Sequence, residues 1–189
     1  MKIVKTALKG VYVLSPKVFE DQRGFFMESY SKKTFQELGF DYNFVQDNQS
    51  FNKKKYTFRG LHYQLYPKAQ TTYLRVISGA ILDIVLDIRK GSPTFGKIFS
   101  TKISANNKKQ LLISKGFAHG FLTLSDDVNI LYKMDEFYAP QYDRVINFQD
   151  KKIGLDLGID LNKLIIAEKD KLAPNLEDAE INFVYKMNC

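Results

Sequence analysis

Apolar and polar residues alternate with a period of two through much of residues 3–150, and this alternation is the strongest constraint on the fold. The clearest strand covers residues 81–88. One of its faces is wholly apolar, with Leu82, Ile84, Leu86 and Ile88. The other face carries Ile81, Asp83, Val85 and Asp87. Such a strand is predicted to be buried on both sides, with its two acids on a cavity face.

Further short strands are predicted along the chain, at 95–104, 110–114, 120–124 and 128–134. Turn-forming residues separate them, at 90–93, 106–109 and 125–127. Short strands at this spacing predict an all-β sandwich or barrel of the jelly-roll kind.

One short helix is predicted near the N-terminus. Ser31 can cap it, Phe35 and Leu38 give it an apolar stripe, and Gly39 ends it. After about residue 153 the pattern changes to short apolar stretches and a charged run. We therefore predict one domain over 1–189, with a jelly-roll core at about 10–150 and a C-terminal arm of short helical turns at about 151–189.

Composition narrows the partners and the compartment. There are 28 Lys and Arg against 21 Asp and Glu, a net charge of +7, which favours an anionic partner. No basic block is long enough to predict nucleic-acid binding, whereas a nucleotide diphosphate needs only a few cations. No membrane span or signal peptide is predicted. The single cysteine, Cys189, cannot form an internal disulfide. These features predict a cytoplasmic protein.

Two histidines, His62 and His119, are the strongest candidates for chemistry, and each lies close to a glycine. A metal site is not predicted, because the sequence has no closely spaced His pair and its lone cysteine is terminal. Phosphate-cradling glycine loops and strand–helix repeats are also missing, so no cofactor is predicted. The residues alone indicate an all-β domain, with acid–base catalysis by a histidine as one option.

Eight segments in order resemble the dTDP-4-dehydrorhamnose 3,5-epimerase family. They include the hexapeptides RGLHYQ at 59–64 and GFAHGF at 116–121. The other six are 16–28, 44–48, 92–96, 131–133, 138–140 and 168–170. The resemblance implies a cupin-type jelly roll, a homodimer, and a nucleotide-sugar substrate with a ketone at C4. A proton beside a ketone is acidic enough for a base to remove, and its return to the opposite face inverts the carbon without a cofactor.

The resemblance also implies a role for individual residues. His62 corresponds to the base, Asp170 to the carboxylate that orients it, and Tyr132 to the acid on the opposite face. Positions that hold the sugar nucleotide correspond to Arg23, Glu28, Gln46, Asn48, Arg59, His119, Asp143 and Lys169. Arginine suits a diphosphate because its planar fork donates two hydrogen bonds at once. Phe19, Phe26 and Tyr138 are candidates for packing on the nucleobase or the sugar.

Strict alternation places His62 and Arg59 on opposite faces of their strand, although both are expected at the site. A bulge at Gly60, or two faces that meet at a rim, would reconcile the two expectations.

The sequence departs from the family at a few positions. Thr72 replaces a lysine expected to stabilise the enolate, and a hydroxyl is a weaker donor to an anion than an ammonium group. Leu112 and Phe148 stand where tryptophan is common. We therefore expect a diverged branch that inverts C3, or C3 and C5, of a 4-keto-6-deoxy sugar for a bacterial surface polysaccharide. That sugar is a dTDP-hexose or a GDP-heptose. Two alternatives are a sugar-nucleotide 3,4-ketoisomerase and a non-catalytic cupin-like sugar-binding protein.

Overall fold

A computed structural model describes residues 1–186 of the chain, so Cys189 lies outside the described residues. In chain order, the strands are β1 (Lys2–Lys5), β2 (Val11–Ser15), β3 (Val18–Asp21), β4 (Gly24–Met27), β5 (Gln46–Asn52), β6 (Thr57–Gln64), β7 (Thr72–Ser78), β8 (Ala80–Asp87), β9 (Ile98–Ser104), β10 (Gln110–Ile113), β11 (Phe117–Thr123), β12 (Val128–Met134), β13 (Asp143–Val145) and β14 (Ile165–Ile166). The helices are α1 (Lys32–Glu37) and α2 (Glu168–Lys171), with 3-10 turns at Pro140–Tyr142 and Leu161–Lys163.

Two antiparallel sheets make up most of the molecule. The first has the order β1-β2-β10-β7-β12-β5, and the second has the order β13-β6-β11-β8-β9, with β14 added in parallel to β6. Strands that are neighbours in space are often distant in sequence, as expected for a jelly roll. The prediction of an all-β jelly-roll sandwich is confirmed.

Apolar side chains from the two inner faces pack together into one buried cluster between the sheets. They include Val85, Ile103 and Leu111, which are fully buried. Strand β8 separates two apolar clusters, as its alternation predicted. Ile84 and Leu86 belong to the cluster outside the second sheet, whereas Ile81 and Val85 belong to the interior.

The outer faces of the two sheets are covered by different parts of the chain. Helix α1 begins at the predicted cap, since the Ser31 side chain accepts a hydrogen bond from the Thr34 amide, and it buries Phe35 against the first sheet. The segment after residue 150 lies against the second sheet. It buries apolar side chains there, at Ile153, Leu157, Leu176, Ile181 and Phe183.

Three local predictions need correction. Strand β11 begins at Phe117 rather than at residue 120, because Gly120 lies in the middle of the strand and not in a turn. Strand β9 begins at Ile98 rather than at residue 95, because the preceding residues form tight turns. Asp87 does not face the cavity, since Arg89, Ser92 and Thr94 all donate hydrogen bonds to its carboxylate.

The hairpin of β3 and β4 is a separate two-stranded sheet. It exposes large aromatic side chains, with Phe19 at 53%, Phe25 at 56% and Phe26 at 70% of full exposure. None of the helices between residues 1 and 186 has the length and the apolar character needed to cross a membrane.

Candidate active site

A cavity of about 610 Å³ lies between the two sheets, and part of its wall is the interior apolar cluster. The first sheet lines it with residues from β5, β7, β10 and β12, and the second with residues from β6, β8, β11 and β13. Its walls combine apolar side chains, such as Leu74, Ile81 and Ile130, with polar and charged side chains from both sheets. Convergent polar groups of this kind can fix the orientation of a ligand.

His62 lines this cavity from β6, and a buried carboxylate holds it from behind. Its Nε2 lies 2.9 Å from Oδ1 of Asp170, which is only 2% exposed. Oδ2 of Asp170 accepts a hydrogen bond of 3.2 Å from the Gly60 amide. Because Nε2 is engaged, Nδ1 is the ring nitrogen left for a ligand. The structure therefore unites two residues that are 108 positions apart in the sequence.

The acidity of Asp170 reflects this environment. Burial raises the pKa of the carboxyl group, but the hydrogen bond and the charge of His62 lower it, as does the Gly60 amide. The net result is a pKa below the ordinary value for aspartate. Asp170 is therefore ionised at neutral pH and can stabilise a positive charge on the His62 ring.

A bulge in β6 places His62 and Arg59 on the same cavity. His62 pairs with His119 and Arg59 pairs with Phe121, so Gly60 and Leu61 together lie opposite Gly120 alone. The bulge expected at Gly60 is thus present. Gly60 has φ +129°, and a Cβ atom there would lie 2.6 Å from Cα of Gly120. Glycine is required at Gly60 both by the backbone conformation and by the close approach of the two strands.

His119 forms a second histidine–aspartate pair on the neighbouring strand. Its Nε2 lies 2.9 Å from Oδ2 and 3.1 Å from Oδ1 of Asp83, which is fully buried on β8. Both residues line the cavity. The alternation of β8 predicted that Asp83 faces inward, and the structure gives that acid its partner.

Tyr132 faces the cavity from β12, on the opposite sheet from His62. Burial raises the pKa of its phenol, and the charge of Arg59 partly opposes that rise. The hydroxyl therefore stays protonated at neutral pH and can donate a proton. Arg59 is fixed through Nε, which donates a hydrogen bond of 2.8 Å to Oδ1 of Asn52.

A chain of amides lines the part of the cavity formed by β5. Nε2 of Gln46 donates to Oδ1 of Asn48 at 2.9 Å, and Oε1 of Gln46 accepts from the Tyr138 amide at 3.0 Å. Gln64 similarly accepts a hydrogen bond of 2.7 Å from the amide of Ala139. These contacts fix the segment that carries the exposed Tyr138 ring beside the cavity.

Most of the predicted site residues lie together. Nine of them line the cavity, namely Gln46, Asn48, Arg59, His62, Thr72, His119, Tyr132, Tyr138 and Asp143. Asp170 lies behind His62, and Lys169 reaches the site through a 3.4 Å hydrogen bond to Asp143. The structure does not bring the four residues of the hairpin region into the cavity, namely Phe19, Arg23, Phe26 and Glu28.

The predicted site residues left out several polar residues of the cavity, among them Gln64, Gln70 and Asp83, and also Asn52, which contacts Arg59. Only Asp83 gave a signal in the sequence, through its inward position on β8. Within residues 1–186, no three His, Cys, Asp or Glu side chains converge into a group that could hold a metal ion.

A jelly roll whose two sheets enclose a histidine–aspartate pair and an opposing tyrosine has the build of a cupin-type acid–base enzyme. The chain belongs to the dTDP-4-dehydrorhamnose 3,5-epimerase family, whose model matches residues 5–178, and it is an isomerase. The family named from the sequence is thereby confirmed.

Three relatives illustrate the match. The dTDP-4-dehydrorhamnose 3,5-epimerase of Salmonella typhimurium is 46% identical over 95% of this chain and 97% of its own length. The Bacillus anthracis enzyme, solved with TDP and pyrophosphate bound, has a TM-score of 0.89 at 42% identity, over 92% of this chain and 98% of that one. The Legionella pneumophila enzyme, solved in complex with dTDP-4-keto-L-rhamnose, has a TM-score of 0.93 at 35% identity, over 98% and 99%.

Proposed function

We propose that this chain inverts both C3 and C5 of a dTDP-linked 4-keto-6-deoxy sugar, through removal and return of the proton beside the ketone. The observation that carries this proposal is the placement of His62, backed by Asp170, across the cavity from Tyr132. A base and an acid on opposite sides of one carbon are what inversion of that carbon requires. The names and bound ligands of the relatives support the dTDP-linked sugar.

In this proposal, Nδ1 of His62 takes the proton from the carbon next to the C4 ketone, and the electron pair of the broken C–H bond moves into an enolate. Asp170 keeps the imidazole in the orientation shown by the 2.9 Å contact and stabilises the imidazolium that forms. Tyr132 then gives its hydroxyl proton to the opposite face of the carbon. The raised pKa of Tyr132 keeps that proton in place until it is needed.

The enolate oxygen needs donors, and three of the groups that line the cavity can serve. Arg59 is permanently charged, His119 is held by Asp83, and Thr72 offers a neutral hydroxyl. Because Thr72 carries no charge, more of the stabilisation falls to Arg59 and His119 than it would with a lysine at position 72.

A homodimer would complete the site. The predicted substrate residues Phe19, Arg23 and Phe26 lie on the exposed hairpin and do not line the cavity of their own chain. Exposed aromatic rings grouped on a short two-stranded sheet favour burial against another surface. We propose that the hairpin of each copy reaches the cavity of the other, so that Arg23 binds the diphosphate held by the partner.

Complementation between two inactive variants tests this dimer. In a mixed dimer of His62→Asn and Arg23→Ala chains, one site holds an intact His62 and an intact Arg23. Equal mixing after unfolding and refolding should then restore about a quarter of the wild-type activity. Mixtures that stay as inactive as their parents would contradict a shared site.

The reaction itself is tested with the wild-type chain in deuterated water. We expect deuterium at C3 and C5 of a dTDP-linked 4-keto-6-deoxy hexose, read by NMR. Deuterium at C3 alone would mean a 3-epimerase, and a new ketone at C3 would mean a 3,4-ketoisomerase. No incorporation into any dTDP- or GDP-linked 4-keto sugar would leave a binding protein instead.

The GDP-heptose substrate, the role in a surface polysaccharide and the cytoplasmic location stay predictions. A parallel incubation with a GDP-linked 4-keto-6-deoxy heptose decides the first of them. We expect slower turnover than with the dTDP-linked hexose, because the relatives with bound ligands are named for TDP or a dTDP-linked sugar.

A further inference from the structure

Asn52 ends strand β5 and is buried, with only 2% of its surface exposed. Its Nδ2 donates hydrogen bonds to Oγ of Ser50 at 3.2 Å and to the carbonyl of Val128 at 3.4 Å. These two acceptors fix the direction of the amide. Oδ1 must then face the other way, and it accepts a hydrogen bond of 2.8 Å from Nε of Arg59.

Arg59 stands out among the groups that line the cavity, because it is the one Lys or Arg side chain there among the described residues. Within residues 1–186, Nε is also the one nitrogen of its guanidinium with a hydrogen-bond partner in the protein. The two terminal amino groups of the guanidinium therefore remain available to a ligand. A planar guanidinium held at Nε keeps both of these groups in a fixed direction.

We propose that Asn52 is a positioning residue, which fixes Arg59 through Nε and so presents both terminal amino groups of the guanidinium to the negative charge of the bound substrate. This inference rests on the proposed epimerase function for its effect on turnover. Its structural part, the fixing of Arg59 by a buried amide, does not depend on the reaction.

Position 72 makes this placement more important. Thr72 is neutral, so residues 1–186 bring no second permanent cation to the cavity that could replace Arg59 if its side chain turned away. The charge of Arg59 also acts on Tyr132, which lines the same cavity, and opposes the effect of burial on the pKa of the phenol. Loss of the Asn52 amide would therefore weaken both substrate binding and the setting of the proposed acid.

Two substitutions of Asn52 separate positioning from a structural role. Both Asn52→Ala and Asn52→Asp lose the donations to Ser50 and Val128, but only aspartate keeps an acceptor for Nε of Arg59. We expect Asn52→Ala to lower kcat/KM about tenfold to a hundredfold, whereas Asn52→Asp stays within about threefold of wild type. Equal losses in the two variants would overturn the proposal.

A double-mutant cycle provides a second measure. In an Arg59→Ala background, Asn52→Ala should change kcat/KM by less than about twofold, because the group that it positions is gone. Losses that multiply independently would contradict the link. Asn43→Ala is a matched control, since that amide accepts a 3.4 Å hydrogen bond from Lys32 at the surface, and it should have no effect.

The third measure needs no turnover. The Nε–H resonance of Arg59 in an NMR spectrum is identified by its loss in Arg59→Lys. It should be sharp and resolved in wild type and in Asn52→Asp, where Nε has an acceptor. In Asn52→Ala it should be broadened, because the side chain then moves between several positions. If wild type shows no deuterium incorporation but this pattern holds, the proposed reaction fails and the positioning stands. An unchanged resonance in Asn52→Ala would overturn the positioning itself. Should Asn52→Ala not fold, Asn52→Leu, which also has no acceptor for Nε of Arg59, takes its place in all three measures.

Discussion

The two histidine–aspartate pairs of the cavity are alike in chemistry and differ in construction. His62 and His119 are cross-strand neighbours, and each places Nε2 about 2.9 Å from a buried carboxylate. Asp83 lies on the neighbouring strand of the same sheet as His119, whereas Asp170 comes from a short helix of the C-terminal segment. One pair is therefore built into the sheet, and the other forms only when the C-terminal segment docks.

This difference in construction agrees with the two roles proposed for the histidines, substrate binding for His119 and proton removal for His62. A histidine held within a sheet is suited to a fixed binding role, since its partner forms with the strands themselves. The His62 pair adds a bulged strand and a second hydrogen bond, from Gly60 to Asp170. Extra devices that orient one histidine are expected at the residue that moves the proton.

The largest effects are expected when each histidine is replaced by asparagine in a separate variant. His62→Asn should lower kcat by about 10³-fold, because a general base contributes about 10²–10⁴-fold. His119→Asn should cost only about tenfold, as the loss of one donor to the substrate. Initial rates of product formation measure both, and an unchanged affinity for dTDP by calorimetry shows that His62→Asn is folded. Equal losses would erase the distinction between the pairs.

The carboxylates should follow the same order with smaller effects. Asp170→Asn should lower kcat by about 100-fold, because an amide no longer stabilises the imidazolium of His62. Asp83→Asn should lower it about tenfold or less. A larger loss at Asp83 than at Asp170 would transfer the role of base to His119.

The bulge that distinguishes His62 can be tested through stability. Gly60 and Gly24 have nearly the same φ, +129° and +127°, but a Cβ would meet backbone only at Gly60. Gly24→Ala therefore measures backbone strain alone. Gly60→Ala should be less stable than Gly24→Ala by about 2 kcal/mol, or roughly 4–8 °C in Tm by calorimetry. Matching Tm values would mean that the strands can separate there at no cost.

The smallest effect concerns acid stability. The pKa of Asp170 in the folded protein lies below its unfolded value of 3.8. Its contribution to the free energy of unfolding is therefore complete above pH 3.8 and is lost as the pH falls through the folded pKa. Wild type should exceed Asp170→Asn by roughly 3 °C in Tm at neutral pH, and the gap should close below about pH 4. A gap of constant size down to pH 2.5 would show that the charge of Asp170 does not contribute to stability.

Short-range periodicity predicted a good part of this molecule. The alternation at 81–88 predicted the two apolar faces of β8 and the inward position of Asp83, although it was wrong for Asp87, and Ser31 marked the start of α1. Gly120 misled the assignment of β11, because glycine usually marks a turn. Here it lies inside a strand, and glycine is required for a different reason. A Cβ atom at this position would come within 2.6 Å of the Arg59 carbonyl oxygen. That requirement depends on the neighbouring strand and is invisible in the local sequence.

The site was predicted chiefly by family resemblance, and the geometry adds what resemblance lacked. Nothing local connects Asp170 to His62, and nothing in the sequence around Asn52 indicates that it would hold Arg59. Residues of the hairpin region, such as Arg23, were predicted as part of the site and do not reach the cavity of their own chain. The proposed dimer, in which the hairpin of one copy reaches the cavity of the other, would account for this difference.

Solvent deuterium exchange in two variants tests the central claim, that His62 is the base and Tyr132 the acid on the opposite face. With a dTDP-linked 4-keto-6-deoxy hexose in deuterated water, Tyr132→Phe should still introduce deuterium at C3 without inversion, because His62 can remove a proton and return a deuteron on its own side. His62→Asn should introduce none. Exchange that persists in His62→Asn and disappears in Tyr132→Phe would contradict the assignment and make Tyr132 the base.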